Sequence, residues 1–129
     1  MEGDLELKAL LKSELGLIKD LGDTIELLDY GPWKAYGNQD CVFVFNYNIK
    51  YNCWFGHVYQ RQNIRGKKGI ELGKQALALF FEDCGKWITY VCACIPNENK
   101  AAIAYVKLLG FKAQIFEKEN TYLVYNKED

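Results

Sequence analysis

The chain has 129 residues, half of them hydrophobic, and a formal net charge of -1. That length holds one domain, residues 1–129, around one core. The balance of charge speaks against a protein that coats nucleic acid by bulk charge, the acidic start Met1–Asp4 against a secretion signal, and the shortness of every apolar run against a membrane span.

The first predicted element is an amphipathic helix over residues 4–20, from the spacing of Leu5, Leu7, Leu10, Leu11, Leu15 and Ile18. Such a helix suits packing on its own sheet or on a second copy of the chain in a homodimer. Gly22 and Asp23 end it, Thr24–Leu28 is a short apolar run, and Tyr30-Gly31-Pro32 signals a turn. Trp33–Tyr36, Cys41–Asn46 and Tyr51–Gln60 read as antiparallel strands, the last two joined through the mostly polar Asn46–Lys50.

A helix is expected from Gly66 to about Cys84, apolar over most of its circumference and so laid against a sheet. Gly69 and Gly73 stack on one face of it and allow a close backbone approach. Trp87–Ile95 reads as a buried strand. Asn97–Leu109 reads as a helix with Asn97 as N-cap and Gly110 at the left-handed C-terminal position. Ala113–Glu117 and Thr121–Tyr125 close the chain as a hairpin. The order implies a mixed α/β (α+β) sheet with helices on its faces.

Five cysteines, an odd number, read as reduced core thiols of a cytoplasmic protein. Cys92 and Cys94 share a strand face, but a single histidine and the lack of a second cysteine pair argue against a metal site.

The densest functional signal is the segment Gln60–Ala76. A strand leads into a short basic loop, Arg61 to Lys68, and then into a helix. The first N–H groups of a helix lack intrahelical partners and, with the helix dipole, form an anion site. Glycine lets a phosphate approach them, and lysine and arginine add charge. By itself the pattern equally describes a solvated basic turn before a core helix.

Asn97–Phe111 adds to it. Asn99, Ala102, Gly110 and Phe111 resemble a motif of the GNAT acyltransferases, and the Arg65-Gly66 loop resembles that family's acetyl-CoA motif one helix and one strand upstream. The resemblance covers roughly residues 41–125 and is nearest to short GNAT proteins of bacteriophages, which would place the chain in a host cytoplasm. It implies a mostly antiparallel GNAT-like sheet with helices on both faces, and acetyl-CoA as co-substrate without a metal. Two strands would splay apart at their ends, with pantetheine pairing to backbone near Val58, Tyr59 and Gln60. The pyrophosphate would sit on Arg65, Gly66, Lys67, Lys68 and Gly69, and Asn99 would face the cofactor arm.

The chain departs from the family at Lys68, where a small residue is usual, and at Val106, where many members place a tyrosine that protonates the thiolate. Tyr105 stands one residue earlier, as a displaced acid or a core aromatic. Aminolysis of a thioester needs a base for the amine, a donor for the oxyanion and an acid for the thiolate. A backbone N–H on the strand of His57, Val58 and Tyr59 could serve the oxyanion. His57, the only histidine, suits the base because an unperturbed imidazole titrates near about 6.5; the other reading, and the commoner fate of a lone histidine, is a structural role on a half-buried strand. Glu26, Asp29 and Asp40 are alternatives. The aromatic run Tyr30, Trp33, Tyr36, Tyr47, Tyr51 and Trp54 suits core packing, or a platform for a flat acceptor. The expected activity is transfer of an acetyl group to an amine of a protein, small molecule or nucleobase; the other reading is an inactive GNAT-like binding protein that occupies a host target.

Overall fold

The computed structural model describes residues 6–22, 31–64 and 66–128. One sheet of seven strands runs through it: β1 (Lys8–Ala9), β2 (Trp33–Gly37), β3 (Cys41–Asn48), β4 (Cys53–Gln60), β5 (Tyr90–Pro96), β6 (Lys112–Phe116) and β7 (Asn120–Asn126). The spatial order is β1-β2-β3-β4-β5-β7-β6. Every neighbouring pair is antiparallel except β4 and β5, which are parallel. Three helices pack on it: α1 (Gly16–Asp20), α2 (Lys67–Cys84) and α3 (Lys100–Leu109).

Strand alternation sorts β3 into two cores. Phe43 and Phe45 join Tyr36, Val91, Leu123 and the buried faces of α2 and α3. Val42 and Val44, one residue out of phase, meet Leu10, Leu15, Leu17 and Ile18 on the other side of the sheet. Helices therefore cover both faces. Phe80 of α2 is fully buried, stacks on Phe45 at 4.3 Å between ring centres and meets Trp54 edge-on at 5.3 Å. Burying a side chain of this kind stabilises by about 1.5–3 kcal/mol.

The N-terminal segment corrects the sequence reading. Of the helix expected over residues 4–20, only Gly16–Asp20 is α-helical; Lys8–Ala9 is an edge strand and Lys12–Glu14 a single 3-10 turn. The reason is where the leucines go. Leu7 enters the core under α2, whereas Leu10, Leu15, Leu17 and Ile18 enter the core on the opposite face. One straight helix cannot reach both sides of a sheet. The chain passes around the sheet edge instead, its backbone held by Leu10 N–H to the Ala35 carbonyl and by Glu6 and Leu7 N–H to Gln75 Oε1.

Other boundaries moved less. β5 starts at Tyr90, and Trp87, expected inside it, is 84% exposed. The N-cap of α3 is Asn99, whose Oδ1 accepts from the Ala102 N–H at 3.1 Å. Asn97 instead bonds the Glu117 and Lys118 carbonyls and Thr121, and so ties the β6–β7 turn to the end of β5. Gly110 takes the left-handed C-cap conformation as expected. No cysteine is in a disulfide, but only Cys41 is a core residue; Cys53, Cys84 and Cys92 are half-buried and Cys94 is exposed because it lies on the side of β5 away from α2 and α3. Thr24–Leu28 and Tyr30, with Glu26 and Asp29, lie outside the described residues.

Candidate active site

Two parallel strands part company at the centre of the sheet. Among the described residues the β4–β5 ladder holds one pair, Phe55↔Cys92, although β4 continues to Gln60 and β5 to Pro96. Proline at the end of β5 has no N–H to extend the pairing. On the other edge of β4, the Arg61 N–H donates to the Asp40 carbonyl at 2.8 Å, next to the pair Cys41↔Gln60. Antiparallel bonding alternates along a strand, so His57 and Tyr59 bond β3 while the N–H and C=O groups of Val58 and Gln60 turn toward the gap beside β5.

The gap opens on the α2/α3 side into a cleft of about 430 Å³, lined by Val58, Gln60, Gly66, Ile70, Asn99 and Tyr105 among others. Gly66 caps α2 at φ +95° and ψ -142°, a conformation that glycine alone adopts without strain. A Cβ on Gly66 would meet nothing within 4 Å, so the start of α2 is open at the cleft rim, whereas Gly69 is buried behind it. A side-chain triad ties the base of the cleft. Tyr105 O–H donates to the Gly69 carbonyl at 2.7 Å, and Gln60 Nε2 reaches the Tyr105 oxygen at 3.0 Å and the Gly69 carbonyl at 3.3 Å. The Tyr105 phenol is shifted up, first by burial and against the opposing pull of the Gln60 hydrogen bond, so it keeps its proton. Gly69 and Gly73 make the contact close, as their spacing predicted. A Cβ on Gly73 would stand 2.6 Å from both Leu109 Cδ2 and the Tyr105 hydroxyl.

Six of the residues singled out from the sequence thus line one cleft: Val58, Gln60, Gly66, Asn99, Ala102 and Tyr105. Gly69 lies behind it as a buried acceptor. Lys67 is exposed beside Gly66, and Lys68 is paired with Glu6 of the N-terminal segment. Arg65 lies outside the described residues. His57 and Tyr59 point to the opposite side of the sheet, Tyr59 against the core under α1. His57 Nε2 sits 2.7 Å from Asn46 Oδ1. Asp40 stands beside Arg61 immediately before β3, outside the cleft lining. Val106, at the position of the family tyrosine, is buried in the main core.

The sequence reading missed Ile70, Ala101, Ala104 and Leu108 as cleft residues. Ala101, Tyr105 and Leu108 follow the i, i+4, i+7 spacing of one helix stripe, which was the available signal. A second hollow, about 480 Å³, opens beside β1 between Glu6, Lys8, Glu14 and Asn38. It is the larger, but it is a shallow depression whose Glu6 and Glu14 carboxylates are already paired with Lys68 and Lys8.

No family model matches the sequence, and no curated protein matches it either. Solved structures do match the fold. A spermidine N-acetyltransferase SpeG chimera of Vibrio cholerae and hSSAT is 14% identical, with TM-score 0.69, covering 96% of this chain and 98% of that one. Campylobacter jejuni N-acetyltransferase PseH is 15% identical, with TM-score 0.66 over 95% and 99%. AAC(6')-Ib in complex with ribostamycin and coenzyme A is 12% identical, with TM-score 0.71 over 95% and 93%. The mixed, mostly antiparallel sheet with helices on both faces is accordingly the fold of the GNAT acetyltransferases.

Proposed function

We propose that the chain is an acetyl-CoA-dependent N-acetyltransferase. The observation that carries this reading is the parting of β4 from β5 next to the glycine-capped start of α2. The gap offers the Val58 and Gln60 backbone to an amide-bearing pantetheine arm, and the helix start offers N–H donors to its pyrophosphate. Gly66, Lys67 and Gly69 belong to that anion site, with Arg65 and Lys68 as the charges nearest in sequence. The Oδ1 of Asn99 is used by the helix cap, which leaves its Nδ2 as the group turned to the cofactor arm.

The reaction is direct attack. An acceptor amine enters from the sheet face opposite the cleft, where His57 stands as the base, held by Asn46. A backbone N–H of β4 binds the oxyanion. The Tyr105 hydroxyl is spent on Gly69, and we assign it to holding α3 on α2. Solved proteins of this fold are named for spermidine N-acetylation or bind ribostamycin, so both compounds belong in the first acceptor panel. The test is release of CoA thiol from acetyl-CoA with that panel, together with calorimetric binding of CoA.

One observation favours a second reading, a fold kept for binding alone: Val106 places a methyl-bearing core side chain where a catalytic phenol is usual. CoA binding with no transfer to any amine would support it.

A further inference from the structure

The fold sorts the aromatic run that precedes the cofactor loop, and one member is left over. Tyr36 is in the main core, Trp54 packs against it, Tyr47 meets Trp54 edge-on, and Trp33 packs on the core under α1. Tyr51, from the β3–β4 turn, joins neither core and is 51% exposed. Its ring centre lies 5.9 Å from that of Phe55 on β4 and 6.4 Å from that of Tyr122 on β7. β5 is the strand between those two. The three rings therefore form one aromatic row from β4 to β7.

Alternation fixes the face that carries the row. Trp54 and Val58 of β4 pack on the main core with Val91, Ala93 and Leu123 of β5 and β7. Phe55, His57, Cys92, Cys94 and Tyr122 are one residue out of phase and stand on the opposite face. Phe55 is one same-face step from His57, about 7 Å along the strand. Asn46, which holds His57, is the ladder partner of Phe55. Phe55 also pairs with Cys92 across the seam, so Cys94 comes level with His57. Cys94 is exposed, and the face is open there.

Among the described residues, the side chains beside the row on these strands are the Asn46 amide and the Cys92 and Cys94 thiols, not carboxylates. One carboxylate, Glu117 of the exposed β6–β7 turn, is near enough for its charge to act on Tyr122. A polycation binds where several carboxylates repay the loss of its water. A flat ring binds where it stacks on other rings. Three rings one short step from the base match the second requirement.

We infer that the acceptor is an arylalkylamine, a primary amine on a short arm carried by an uncharged ring, with its ring on Tyr51 and Tyr122 and its nitrogen at His57. The inference rests on the acyltransferase reading above and names its acceptor class. Phe55, 8% exposed, is the floor, and the exposed Tyr51 and half-buried Tyr122 offer the ring surface. The arm spans the step from the row to the base. The nitrogen forms the C–N bond and gives its proton to His57. The C–S bond breaks with its electron pair on sulfur, which takes up a proton from water and leaves as CoA thiol.

The test compares phenethylamine, tryptamine, spermidine and ribostamycin as acceptors, by release of CoA thiol, in the wild type and Tyr51→Ala. The Tyr51 N–H is held by Asn48 Oδ1 and its side chain is exposed, so the substitution leaves the turn and the fold in place. The wild type should favour the two aromatic amines in kcat/KM by about tenfold or more. Tyr51→Ala should raise their KM by about tenfold, as the loss of a stacking ring requires, and keep the wild-type affinity for CoA. A preference for spermidine or ribostamycin, or a KM for the aromatic amines unmoved in folded Tyr51→Ala, overturns the acceptor class and leaves the acyltransferase reading standing. A folded wild type that binds CoA and transfers to no amine, or that binds no CoA, overturns both.

Discussion

The Tyr105 hydroxyl donates to the Gly69 carbonyl at 2.7 Å, and with this bond α3 is fastened to the first turn of α2. The carbonyl it holds belongs to a buried glycine within three residues of the helix cap, so the bond ties α3 to α2 at the base of the cleft.

Replacing that phenol tests its role. Tyr105→Phe should lower stability by about 1–2 kcal/mol, because the buried Gly69 carbonyl loses the phenol donor and the Gln60 amide loses the phenol oxygen it donates to. Urea unfolding measures this. CoA thiol release, once an acceptor is known, should change little. A loss of a hundredfold in a folded variant would mean that the phenol reaches the thioester.

Gly73 is the tightest point between α2 and α3. Gly73→Ala should destabilise by about 1–3 kcal/mol, since its Cβ meets Leu109 and Tyr105 and one of them must move. Helix propensity, which favours alanine by about 1 kcal/mol, opposes this without cancelling it. A thermal or urea midpoint that rises would show the helices are farther apart than described.

Much of this half of the molecule was legible in the sequence. Gly69 and Gly73 at a four-residue interval, the Gly110 cap and the long periodic run of α2 each carry a local signal that tertiary context did not override. The N-terminal segment did not, because leucine spacing alone cannot say that Leu7 and Leu10 enter cores on opposite faces of a sheet. The pairing of Lys68 with Glu6, 62 residues apart, depends on topology and register, which no local pattern encodes. Cys94 read as a core residue because its neighbours are apolar; strand alternation put it outside.

The thiols should separate by environment. Burial pushes the Cys41 thiol from the ordinary 9.0 to about 11 and the Cys92 thiol to about 12, the latter with help from Cys53. In the native protein Cys94 should react first with a disulfide reagent and Cys41 last, and all five should react after denaturation without reductant. These raised values stabilise the fold fully below the unfolded pKa near 9.0, and that contribution falls as pH rises toward 11. Stability that is flat from about pH 8.5 to 10.5 would contradict this sign.

His57→Ala should cut acetyl transfer by about a hundredfold or more if the imidazole takes the amine proton. Asn46→Ala, which frees the ring from the 2.7 Å contact, should cost less and raise KM little. Circular dichroism must first show both variants folded. Full activity in folded His57→Ala would return the histidine to a structural role.

The cofactor site is tested most directly by titrating CoA into the wild type, Gly66→Ala and Gly66→Asp. Both substitutions meet the same backbone strain at φ +95°, but only aspartate adds a negative charge at the helix start. The wild type should bind CoA at one site per chain. Gly66→Ala should bind more weakly, and Gly66→Asp should be weaker than Gly66→Ala by about tenfold or more, as a charge opposed to a pyrophosphate requires. Equal CoA affinity in all three folded proteins, or no binding by the wild type, would contradict the account.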